Sequence, residues 1–175
     1  MQLESLELMA RYNVWATKKL NLILQTVSDT DFFQDNGLFF GSIFATLNHL
    51  LVGEHYLWYP RFSAHSSAKP TPKLKLNTII ETDRTLLIKE LEDKASNWLQ
   101  LIDVIKSKTI PQDLNYQTST GQQMSLPYLA TLMHVFNHGT HHRGQITAAL
   151  TAMGYACPEL DLVYMLIDEK NDPVD

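Results

Sequence analysis

Four of the chain's seven histidines, His134, His138, His141 and His142, fall in the single stretch MHVFNHGTHHRGQ that ends at Gln145. A neutral imidazole is the commonest protein ligand for a transition metal, so this density points first to metal binding. On a helix that turns about 100° per residue, His138 and His142 lie about 40° apart around the axis and one turn apart along it. Both can reach one ion from the same side. His134 and His138 repeat that spacing and compete with the pair, although three histidines on one helix would have to share an ion across two turns. His141 lies about 60° to the other side of His138, a place for a surface or ligand-orienting side chain. Gly139 and Thr140 are poor residues for a helix centre, and the glycine costs about 1 kcal/mol relative to alanine. Function or close packing must offset that cost.

Two ligands rarely hold a divalent ion tightly, so a third must come from another helix. An upstream segment offers His49 and His55, six positions and therefore about 120° apart on a helix. His49 has Ala45, Val52, Gly53 and Tyr56 as helical neighbours, which suits an inward position with room for an ion. His55 keeps more polar company and is expected to face outward. The set His49, His138 and His142 leaves one or more coordination positions open, as a catalytic rather than a structural site does. Release of the ion by acid is expected near the ordinary imidazole pKa of about 6.5. His55, His65 and His141 are assigned no role. Tyr12 and Trp15 read as packing, and Cys157, the only cysteine, has no nearby base in sequence to activate it.

The elements that must carry these residues are helices. Residues 3–27 form the first, with Leu6, Ala10, Val14, Leu20, Ile23, Leu24 and Val27 near the helical repeat and no internal Gly or Pro. Cap and turn residues fill 28–41, with a short turn of helix inside. A second helix starts after the N-cap Ser42 and ends near Pro60. The Ser- and Pro-rich stretch SAHSSAKPTPK reads as an exposed loop suited to a crossover. Residues 77–106 form a third helix with a seam at Ile80, Leu87, Leu91, Ala95, Trp98, Ile102 and Ile105. Short polar and apolar alternations around Ser119-Thr120-Gly121 suggest a β-hairpin. Pro127, at a first-turn position, opens the histidine-bearing helix, which stops at Gly154. A short helix over residues 159–168 and a loose tail NDPVD complete the chain. The expected architecture is all-α, one helical-bundle domain over residues 1–175.

Composition supports that expectation and narrows the partners. Hydrophobic residues make up 45% and charged residues 19%, ordinary for a chain that folds around a core. The net charge of −5 and the absence of basic runs argue against nucleic acid. No apolar stretch is long enough to cross a bilayer, and the start lacks the basic, apolar and cleavage regions of a secretory signal. The expectation is a cytoplasmic protein that acts on a small molecule.

At these residues the sequence resembles the DinB/YfiT-like family of metal-binding four-helix-bundle proteins. RYNVWATKKL is similar to the family's Tyr-Asn-x-Trp-Ala segment, and FGSIFATLNHLLVGEHYLW to its second-helix segment, whose ligand histidine falls on His49. HVFNHGTHHRGQITAAL carries the strongest likeness and places the paired ligands on His138 and His142. CPELDLVYML resembles the family's ending, with Asp161 before the terminal helix. One departure is Glu54 where many members carry Asp, which keeps the charge. Nothing resembles the translesion polymerase that shares the label. The resemblance implies an up-down-down-up bundle, a homodimer, and an activity such as thiol S-transfer with bacillithiol or mycothiol, or mycothiol-dependent isomerisation. The expected function is therefore metal-dependent thiol transfer, with His141, Arg143 and Gln145 orienting the substrate and zinc, or else nickel or another divalent ion, as cofactor. Two alternatives use the same site: hydrolysis by metal-bound hydroxide, and a non-catalytic, stress-associated protein whose ion staples helices together.

Overall fold

Helix α1, Gln2–Leu24, buries Leu6, Ala10, Asn13, Ala16, Leu20 and Leu24, a stripe stepping by three and four in which Asn13 is a polar member. The computed structural model describes residues 2–63 and 74–171. The short helix α2, Asp29–Phe33, begins at Ser28, whose hydroxyl accepts the Asp31 N–H. Ser42 does the same for Ala45 at the start of α3, Ile43–Leu50. The chain then continues as a π-helical turn, Leu51–Trp58, and regains α geometry in α4, Tyr59–Ser63. One helix was expected here. The i→i+5 hydrogen bonding of the middle stretch widens the turn and re-aims side chains, and Leu51, Val52, Gly53, Glu54, His55 and Leu57 are all buried.

The third helix starts later than expected and is broken. Residues 77–83 are not helical, because the Asn48 side chain captures that backbone: its Oδ1 accepts the N–H groups of Ile80 and Glu81 at 2.9 and 3.0 Å, and its Nδ2 donates to the Glu81 carbonyl. Asp83 then caps α5, Arg84–Ala95, by accepting the Leu86 N–H. At Ser96 the hydroxyl bonds back to the Asp93 carbonyl, and α6, Asn97–Lys106, follows. The seam itself survives the break, with Leu87, Leu91, Ala95, Trp98, Ile102 and Ile105 all buried.

Strands β1, Asp113–Gln117, and β2, Gln123–Pro127, form the expected hairpin, with Asp113 opposite Pro127 and Gln117 opposite Gln123. Gly121 takes φ +90° in its turn. Pro127 is thus the last strand residue rather than a first-turn residue, and α7 spans Tyr128–Ala152. Gly154 at φ +86° follows α7, and α8 covers Leu162–Asn171. Tyr12 donates to the Leu160 carbonyl and Trp15 to Asp168, so the two aromatic residues of α1 pin α8 and the segment before it to the bundle.

Two apolar clusters give the direction of each helix. One joins Leu20 and Leu24 of α1 with Ile43, Leu47, Leu87, Leu91, Ile146 and Leu150. The other joins Leu6 and Ala10 with Phe62, Trp98, Ile102, Leu132 and Phe136. Helices α1 and α7 therefore run one way, and the α3–α4 and α5–α6 segments run the other, an up-down-down-up four-helix bundle. The crossover between the middle two contains residues 64–73 of the Ser- and Pro-rich stretch, including His65, which lie outside the described residues, as does the tail 172–175. No described helix is long and apolar enough to cross a membrane.

Candidate metal centre

His49 comes from the last turn of α3, and His138 and His142 from successive turns of α7. Their Nε2 atoms converge: His138 Nε2 stands 3.0 Å from that of His49 and 3.1 Å from that of His142. The ligand atoms of all three lie within 4.8 Å of one another. Nitrogens coordinated at 2.0–2.1 Å in a tetrahedral site are roughly 3.3 Å apart, so the spacing suits one ion.

The ring orientations favour a cation as well. His49 Nδ1 donates to the Leu76 carbonyl at 2.8 Å, and His142 Nδ1 donates to Gln145 Oε1 at 2.7 Å. A ring protonated at Nδ1 presents an unprotonated Nε2, so both histidines aim lone pairs at the shared point. Burial pushes the His138 imidazole down to about 3 and His142 to about 4, with repulsion among the neighbouring histidines adding to it, and burial also lowers His49 against its bond to Leu76. The rings are neutral at pH 7. Because protons compete poorly for them, acid release of any ion held there would be moved below the pH of about 6.5 expected from free imidazole.

The remaining histidines separate clearly. His134 is exposed and packs its ring 5.6 Å from Trp58, outside the convergence, so the competing His134/His138 pair is not formed into a site. His141 is exposed beside His142. His55 was expected to face outward, yet it is buried within the π-helical turn. Its pKa falls to about 3 through burial and the charge of Lys94, so it is neutral at pH 7 although Glu54 Oε2 lies 3.8 Å away.

Beneath the triad lies a buried charged clasp. Asn13 of α1 donates through Nδ2 to Glu54 Oε2 at 3.1 Å and accepts through Oδ1 from Arg143 Nη1 at 2.7 Å. Arg143 therefore faces the core beside Tyr12, not a substrate, which corrects its expected orienting role. Burial raises the Glu54 carboxyl while the Arg143 charge holds it down. Gly139 is explained here: a Cβ on it would stand 2.6 Å from Glu54 Oε1 and 3.0 Å from both Arg143 Nη1 and Asn13 Oδ1. Close packing against the clasp is the reason for the glycine.

Gln145 does orient, but it orients His142 rather than a substrate. Sequence reasoning missed Asn13, Asn48, Leu76 and Phe40, whose ring stacks on His49 with centroids 3.9 Å apart and 21° between planes. Asn13 left a trace as part of RYNVWA, and Phe40 and Asn48 as part of FGSIFATLNHLLVGEHYLW; Leu76 left none. No solved structure matches the chain significantly. The sequence is 26% identical over 166 residues to Protein DinB of Bacillus subtilis (strain 168), covering 92% of this chain and 93% of that protein. The model of the DinB family matches residues 1–171. The chain belongs to the DinB family.

Proposed function

We propose that His49, His138 and His142 hold one divalent ion, zinc first among the candidates, and that the chain is a metal-dependent thiol S-transferase. The observation that carries this reading is the convergence of three Nε2 atoms from two helices on one point. When bound, the ion would lower the pKa of a nearby thiol. Thiol transfer would form an S–C bond at an electrophilic carbon, with the leaving group departing with its electron pair and the thiol proton passing to solvent. The chain's own residues supply positioning. Leu76 and Gln145 fix the ring orientations of His49 and His142, and Phe40 covers the face of His49.

The test is elemental analysis of purified protein beside His49→Ala and His142→Ala, with helicity followed by circular dichroism. The proposal expects near-stoichiometric metal that drops in both variants while helicity persists. It also expects metal-dependent consumption of a low-molecular-weight thiol, with bacillithiol and mycothiol in the panel. Metal-free wild type after supplementation would overturn the site. Metal-dependent ester or amide cleavage without thiol consumption would replace transfer by hydrolysis.

A further inference from the structure

A cavity of about 490 Å³ adjoins the triad, lined by Phe39, Phe40, Ala45, Leu76 and Asn77. That is the size of a small-molecule site. Three of these residues are tied to His49. Phe40 stacks on its imidazole, Leu76 accepts its Nδ1–H, and Ala45 precedes it by one turn of α3. Phe40 also stands 5.7 Å from His142, so a molecule lying against this ring is beside the ligand histidines.

Among the described residues the lining is neutral: Asn77 supplies the only polar side chain, and a charged molecule would lose hydration there without an opposite charge from these residues to replace it. The buried polar groups Glu54, His55 and Arg143 line a different space of about 10 Å³, too small for an organic molecule. Phe39 is 82% exposed and meets Phe40 edge-on, with centroids 4.9 Å apart. A flat ring seated against this pair would remove apolar surface from water and extend the aromatic series that already runs from Phe39 through Phe40 to His49.

We propose that this cavity seats the electrophilic co-substrate, a neutral molecule carrying an aromatic ring, and that Phe39 and Phe40 select it. The word electrophilic rests on the thiol-transfer reading; recognition of the ring rests on the cavity. Three unreactive probes share one amide and test the recognition without turnover: acetamide, acetanilide, which adds the ring, and 4-acetamidobenzoate, which adds a charge. Binding to zinc-loaded protein is measured by saturation-transfer NMR and equilibrium dialysis. Acetanilide is expected to bind at least tenfold more tightly than either of the others. Phe39→Ala should weaken it about fivefold while zinc content and helicity stay at wild-type values. Equal acetanilide binding by wild type and Phe39→Ala, or carboxylate binding as tight as acetanilide, overturns the proposal.

A reactive pair, iodoacetamide and 2-iodoacetanilide, separates this inference from the one beneath it, with the thioether product of bacillithiol quantified by chromatography. Ring-dependent acetanilide binding with no thioether from either electrophile sinks thiol transfer and supports the aromatic seat. Thioether formation that prefers neither electrophile, in wild type and Phe39→Ala alike, sinks the seat and supports thiol transfer.

Discussion

The clasp and the triad share two segments of the bundle, to which the clasp adds Asn13 of α1, yet their polar groups meet opposite ends. Glu54 and Arg143 are both deeply buried, the charge of each acts on the other, and Asn13 is hydrogen-bonded to both. His49, His138 and His142 present like groups to one another, with ligand atoms all within 4.8 Å. The difference separates a structural use of buried polarity from a binding use. Where charges compensate internally, the residues lock helices together; where donors converge without compensation, they define a place for a ligand.

The comparison breaks most visibly at the clasp. Arg143→Ala leaves Glu54 buried without its counter-charge and should cost about 3–5 kcal/mol in urea denaturation of the metal-free protein. A cost below about 1 kcal/mol would show that the clasp does not hold the helices. Gly139→Ala forces a methyl against three clasp atoms and should cost about 1–3 kcal/mol by the same measurement.

Acid probes His55, which follows Glu54 in sequence and belongs to neither group. Its folded pKa of about 3 is below the unfolded value of 6.5, so the unfolded chain binds more protons between these limits. Its contribution to stability is complete above pH 6.5 and is lost as pH falls toward 3, with a slope of about 1.4 kcal/mol per pH unit. Glu54, raised by burial, acts in the opposite sense. The informative quantity is therefore the difference in pH slope between wild type and His55→Phe in chelator. Equal slopes would mean that His55 is not buried as the fold places it.

The smallest effect is expected at the edge of the triad. Gln145→Ala removes the acceptor that orients His142 and should weaken metal binding by about 10- to 100-fold, with little change in metal-free stability. A competition titration against a chromogenic chelator measures it. Unchanged affinity would mean that the His142 ring is held by packing alone.

Much of this molecule was legible before any coordinates. The i,i+4 pair His138/His142 is a local property of one helix, and the apolar stripes of α1 and α5–α6 are periodicities within single segments. The glycine at 139 also announced a constraint, although not which one. His49 and the bundle topology were assigned partly through family likeness and agree with the geometry. Local reasoning failed where a distant partner or an unusual turn intervened. Asn48 holds residues 80–81 out of the third helix from 32 and 33 positions away. His55 is buried because the π-helical turn re-aims the side chains that a regular helix would have pointed outward.

The sequence by itself determined the helical stripes, the caps at Ser28 and Ser42, and the i,i+4 histidine pair on α7, because each depends on neighbours within one or two turns. Only the tertiary structure decided that Arg143 pairs inward, that Leu76 and Gln145 set the imidazole orientations, and that Phe40 roofs His49. Hydrogen bonds and ring stacking operate over a few ångströms, and residues far apart along the chain reach that range only when the helices are packed.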